Sequence, residues 1–181
     1  AIDIGNSETN VGVGNSNKWE SYRYTTRKTI TSDELLMMFK TTIDLSKLDD
    51  KAIDGVIVCS VVPQITDSVV SAISEFTAKD VLVVGPGIKT GLKVNIDNPK
   101  ELGPDRIANS VGGFKKTNKE VVIVDLGTAT TFDIVNSNKE YLGGSIAPGI
   151  KISLDALISK TSSLKSVELK EPNKVIGKNT Y

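Results

Sequence analysis

Residues 121–139, VVIVDLGTATTFDIVNSNK, decide the fold. Four apolar residues deliver Asp125 to a glycine turn rich in hydroxyls, at Thr128, Thr130 and Thr131, and a second apolar run follows. The chain opens in the same manner with AIDIGNSETNVGVGNSNK. Placing Asp3 on Asp125 sets an offset of 122 residues (125 − 3), at which Gly5 meets Gly127, Thr9 meets Thr131 and Val13 meets Val135. One motif used twice is the mark of an internal duplication.

Working outward, the apolar and alternating runs at 1–4, 10–14 and 19–25 predict three strands joined by tight turns. Residues 31–45 have helical spacing, with Thr31 and Glu34 placed as a capping box. A buried strand at 55–62 leads into a helix opened by Pro63. A short strand at 81–85 and a loop rich in Asn, Asp and Pro precede a helix that starts near Pro104. Strands near 121–126, 129–136 and 140–147 and a helix around 149–160 then repeat the opening order. The expected fold is α/β, with duplicated actin-like (ribonuclease H-like) domains facing a cleft. It is the plan of the sugar-kinase, heat-shock-protein-70 and actin superfamily, an analogy of fold alone. The first domain is expected over 1–117 and the N-terminal half of the second over 118–181. At the same offset Tyr181 corresponds to residue 59, so the second copy is expected to stop about halfway and the chain to be clipped at both ends.

Composition narrows the chemistry. The chain of 181 residues has 22 Lys and Arg against 22 Asp and Glu, which leaves no basic excess to hold a nucleic acid. No apolar run approaches the roughly 20 residues of a membrane span. One cysteine and no visible signal peptide point to the cytoplasm and away from a disulfide framework. Histidine is absent, so a general base must be a carboxylate, Lys, Tyr or Cys.

In each copy a strand ends at Asp-x-Gly and turns back. Such a turn aims successive amides at an anion, and Asn6, Ser7, Thr9, Thr128, Thr130 and Thr131 add donors. Asp3 and Asp125 would repel a phosphate unless a cation intervenes, so they imply a metal. The plainer alternative is two hairpin turns closed by Asx hydrogen bonds; the repetition favours the first reading, in which the two turns clamp one triphosphate. In ELGPDRIAN, Asp105 is either a partner of the helix dipole or a base beside Arg106, a planar cation suited to substrate. The segment 141–149, YLGGSIAPG, is strand-to-helix punctuation or a pocket wall. Cys59 is expected as an inert core thiol, and Trp19, Met37 and Met38 as core or interface.

The strings DIGNS, SVVP, NPKELGPDRIAN, DLGTATTFD, LGGSIAPGI and VIGKNT fall in one order and spacing, and together the chain resembles the type III pantothenate kinases. The resemblance implies synthesis of 4′-phosphopantothenate from pantothenate and ATP, the first step towards coenzyme A. It implies a divalent ion such as Mg²⁺, a monovalent K⁺ or NH₄⁺, and a homodimer with the substrate pocket near its interface. By position it makes Asp105 the general base. Asp3, Gly5, Asn6, Ser7, Thr9, Gly127 and Thr128 would bind ATP phosphates, with Asp3 on Mg²⁺ directly or through water. Gly103, Pro104, Arg106 and Thr180 would line the pantothenate site, and Asp125 would bind the monovalent cation. Two positions depart from the family pattern: Pro104 replaces a common Ala or Ser, and Ile96 stands where many members have Tyr. The part expected to be missing would complete the ATP cleft, so activity is expected of the longer parent chain. The alternatives are a non-catalytic ligand-binding or regulatory member of the same family and, more weakly, a sugar kinase of the superfamily.

Overall fold

The computed structural model describes the chain apart from residues 16–17, 163, 165–168, 170, 172–173 and 179–181. Thr180, expected in the substrate site, therefore lies outside the described residues. The fold is mixed α/β with two sheets.

Alternation along the first strands sets their pairing. β1 (Ile2–Ile4) and β2 (Glu8–Gly14) form an antiparallel hairpin with Ile2 opposite Val11 and Ile4 opposite Thr9. β3 (Trp19–Thr25) extends the hairpin on its outer side. β4 (Val56–Ser60) adds in parallel to β1, and β5 (Val81–Val83) in parallel to β4, giving the order β3-β2-β1-β4-β5. Parallel neighbours need a crossover. The helix α2 (Pro63–Thr77) supplies it between β4 and β5, and α1 (Ser32–Ser46) carries the chain from β3 to β4.

Successive strand residues point to opposite faces, and β4 uses both. Val58 joins Ile2, Ile4, Leu35, Phe39 and Val69 in the core beneath α1 and α2. Its neighbour Cys59 joins a second core with Ile107 and Phe114 of α3 (Pro104–Thr117) and with Tyr141. Each large apolar side chain withdrawn from water in these cores contributes about 1.5–3 kcal/mol. Trp19 and Met37, by contrast, are 58% and 70% exposed and belong to neither core.

The helix ends follow local chemistry. Thr31 Oγ1 accepts from the Glu34 N–H at 3.3 Å while the Thr31 N–H donates to Glu34 Oε2 at 2.9 Å, the expected capping box. Pro63 and Pro104 open α2 and α3, where a missing N–H costs nothing. Lys47, Ala78 and Asn118 close α1, α2 and α3 with φ of 56°, 52° and 51°, a left-handed backbone taken without glycine.

The second sheet has the order β6-β9-β8-β7, built from β6 (Lys93–Val94), β7 (Val121–Leu126), β8 (Ala129–Val135) and β9 (Glu140–Pro148). β6 corrects the loop expected before α3. It pairs in parallel with Glu140 and Tyr141, and Lys93 Nζ meets Glu140 Oε1 at 2.7 Å. Two residues have no period to read, so this strand exists only through its partner. α4 (Ile150–Lys160) follows β9.

By packing, the chain forms two compact units: residues 1–123 with 133–143, and residues 124–132 with 144–181. The first unit thus takes in part of the second sheet. In the second unit α4 has no buried residue, and Leu126, Ile146 and Ile150 are exposed. Among the described residues no helix is long and apolar enough to cross a membrane.

Candidate active site

In the first unit the Asp3 turn is built by hydrogen bonds. The Gly5 N–H donates to the Glu8 carbonyl at 2.9 Å and closes the link from β1 to β2. Thr26, just past β3, reaches across: its hydroxyl donates to the Gly5 carbonyl at 2.7 Å and its N–H to the Ser7 carbonyl at 3.0 Å. Thr9 is buried and shares a 2.9 Å hydrogen bond with Thr26 Oγ1. Thr9 therefore braces the turn from within β2, while Asp3, Asn6 and Ser7 are exposed. Thr26 is a supporting residue that the sequence reading missed; its only signal is a hydroxyl at the end of β3.

The Asp105 turn comes to the same strand pair. β1 and β4 run in parallel with Asp3 beside Cys59. Burial first, then the negative charges of Asp3 and Asp105 and a hydrogen bond with Asp3, together push the Cys59 thiol up to about 12. One thiol feels both carboxylates, so the phosphate-turn aspartate and the candidate base lie around a single residue of β4. The thiol itself is a neutral core group, as expected.

Gly103 precedes α3, and a Cβ there would stand 2.5 Å from Asp105 Oδ1. The missing side chain lets the carboxylate fold back over the helix start, where Oδ1 accepts the Arg106 N–H at 2.8 Å. Pro104 at the first helical position is compatible with this turn, so its departure from the family pattern leaves the helix start intact. Ile96 is half-buried against the second core.

The same turn carries the most buried charge among the described residues. Arg106 Nε and Nη2 approach Asp133 Oδ1 at 2.8 and 2.7 Å, and Tyr141 Oη donates to that oxygen at 2.7 Å. The guanidinium carbon lies 6.0 Å from the Tyr141 ring centroid. Asp133 is wholly buried, and the Arg106 side chain is 15% exposed. Burial and the bond to Asp133 push the Tyr141 hydroxyl well above its ordinary range. Breaking a buried pair of this kind typically costs about 3–5 kcal/mol. The sequence reading passed over Asp133 and Tyr141, although β8 carries a signal: Asp133 shares its buried phase with Val135.

In the second unit the Gly127 N–H donates to the Ala129 carbonyl at 2.9 Å, a tighter closure than at Gly5. Asp125 is half-buried, and Gly127 and Thr128 are exposed. Gly149, at the head of α4, donates its N–H to the Thr128 carbonyl at 3.0 Å. A Cβ on Gly149 would overlap the carbonyl oxygens of Gly127 and Thr128. The Gly pair and Pro-Gly of residues 141–149 are thus more than punctuation: Gly143 has φ +114°, and Gly149 seats the hydroxyl turn on α4.

The sequence profile of the type III pantothenate kinases matches residues 1–181. The type III pantothenate kinase of Koribacter versatilis (strain Ellin345) is 43% identical over 190 residues, covering 99% of this chain and 69% of its own length. That of Syntrophotalea carbinolica is 43% identical over 180 residues, covering 99% of this chain and 71% of its own. A solved structure described as a conserved Baf-family transcriptional activator from Campylobacter jejuni superposes with a TM-score of 0.52 at 20% identity. It covers 96% of this chain and 67% of that one, a likeness of fold. With the profile matched from end to end and relatives of this identity along almost its whole length, the chain belongs to the type III pantothenate kinase family.

Proposed function

We propose that the protein transfers the terminal phosphoryl group of ATP to the pantothenate hydroxyl, giving 4′-phosphopantothenate for coenzyme A synthesis in the cytoplasm. Family membership supports the reaction, and the single structural observation that carries the site is the place of Cys59, paired beside Asp3 on β1 and packed in one core with Ile107 near the start of α3. Asp105 accepts the hydroxyl proton as the oxygen forms its bond to phosphorus and the bond to the leaving ADP breaks. Phosphoryl transfer asks mostly for positioning and charge. Gly5, Asn6, Ser7 and Thr9 form or brace the first phosphate turn, and Gly127 and Thr128 form the second. Gly103, Pro104 and Arg106 line the substrate site. The recurring strand-strand-strand-helix order supports a duplicated actin-like plan, and homodimerisation belongs to the same reading.

The donor set agrees with a sparse metal site. Among the described residues no three His, Cys, Asp or Glu side chains gather as a cage. Mg²⁺ needs none, since it keeps several waters and is held by one or two carboxylates with substrate phosphates. Asp3 would hold it, and the ion would neutralise charge on the phosphates. Asp125 is half-buried two residues before Gly127, and its carboxylate would supply an oxygen to a monovalent cation.

A non-catalytic binding member would not require Asp3, Asp105 and Asp125 together. Incubating the full-length protein with ATP, Mg²⁺, K⁺ and pantothenate should consume ATP only when pantothenate is present; pantothenate-independent or absent turnover would favour the binding module. For the cation, Asp125→Asn should flatten the activation of kcat by K⁺ or NH₄⁺ while the KM for pantothenate moves less. An unchanged salt response would remove Asp125 from that role.

A further inference from the structure

Asp133 and Tyr141 carry none of the roles above, yet they are 0% and 1% exposed and meet at the side chain next to the base. We propose that they are positioning residues for phosphoryl transfer: they lock Arg106, and through it the first turn of α3, so that the Asp105 carboxylate is held ready for the substrate hydroxyl. The proposal rests on the reading of Asp105 as the base.

The connection is short and covalent for much of its length. Asp133 Oδ1 receives Nε and Nη2 of Arg106 and the hydroxyl of Tyr141, all within 2.8 Å. The guanidinium is also stacked near the Tyr141 ring, 6.0 Å from its centroid. Two contacts along one fork fix the rotation of the guanidinium as well as its place. The backbone N–H of this same Arg106 donates to Asp105 Oδ1 at 2.8 Å. The anchor on β8 and β9 therefore holds the residue whose amide orients the base. Pro104 on the other flank limits the remaining freedom of the turn. Asp133 also neutralises the Arg106 charge within the first unit, so the side chain acts here as a brace more than as an open cation.

The test is a set of double-mutant cycles in the full-length enzyme. Asp133→Asn should lower kcat by about 10–100-fold and Tyr141→Phe by about 3–10-fold, with the KM for ATP nearly unchanged. In an Asp105→Asn background, either change should lower the residual kcat by less than about 2-fold, because the group they position is already disabled. Equal factors in both backgrounds, or losses that follow the unfolded fraction in a thermal melt, overturn the proposal. Should Asp133→Asn fail to fold, Tyr141→Phe keeps the ion pair and the ring and decides the matter alone. Full turnover by Asp105→Asn itself would remove the base and the proposal together. A crippled Asp105→Asn with additive Asp133→Asn would remove the positioning role alone.

Discussion

Asp105→Asn in the full-length enzyme is expected to lower kcat by about 10²–10⁴-fold with little change in Tm. The substitution keeps the shape of the side chain and an oxygen able to accept the Arg106 N–H, now 2.8 Å away. It removes basicity. With histidine absent from the chain, the remaining bases are carboxylates, Lys, Tyr and Cys. The Cys59 thiol, pushed up to about 12, is no base near neutrality. A carboxylate at the start of α3 is then the natural acceptor of the hydroxyl proton. Steady-state kinetics beside a thermal melt separates this role from helix capping. Normal turnover, or a loss that comes only with unfolding, would make Asp105 a structural residue.

Gly149→Ala is expected to raise the KM for ATP at least about tenfold and to destabilise the protein by about 1–3 kcal/mol. Gly149 has φ −66°, a value open to any residue, so dihedral freedom is not its purpose. Its purpose is close approach: the added methyl would overlap the carbonyls of Gly127 and Thr128, which are backbone and cannot swing aside. The hydroxyl turn must shift off the head of α4. Gly85→Ala is the control, since a Cβ there meets nothing within 4 Å. ATP kinetics and Tm unchanged in Gly149→Ala would show that the turn does not depend on this seat.

Much of this was legible in the sequence because local chemistry decided it. Thr31 and Glu34 announce α1 by capping, Pro63 and Pro104 announce helix starts, and the alternation of β1 to β3 sets their faces. Asp3 and Asp125 stand out in the sequence because one Asp-x-Gly turn occurs twice, and Asp105 because it opens a helix beside Arg106 in a chain without histidine. What escaped was set by partners distant in sequence. β6 is too short to show a period and forms against Glu140 and Tyr141. Asp133 reads as the last letter of a motif until its strand phase is followed inward, where Arg106 from α3 and Tyr141 from β9 meet its carboxylate. Gly149 reads as a helix opener, and the reason that nothing larger fits is a carbonyl more than twenty residues earlier.

Three helices of this protein end on Lys47, Ala78 and Asn118 in left-handed backbone. Asn accepts that conformation readily, but for Lys and Ala it is a standing cost of roughly 1–2 kcal/mol each. Glycine would relieve it, less the freedom that glycine adds to the unfolded chain. Selection has kept the fold above the stability it needs and has not pressed it towards the most its backbone permits. That unused margin matters for anyone altering the site. Relieving the ends of α1 and α2 raises the floor beneath substitutions whose cost would otherwise be read as lost catalysis.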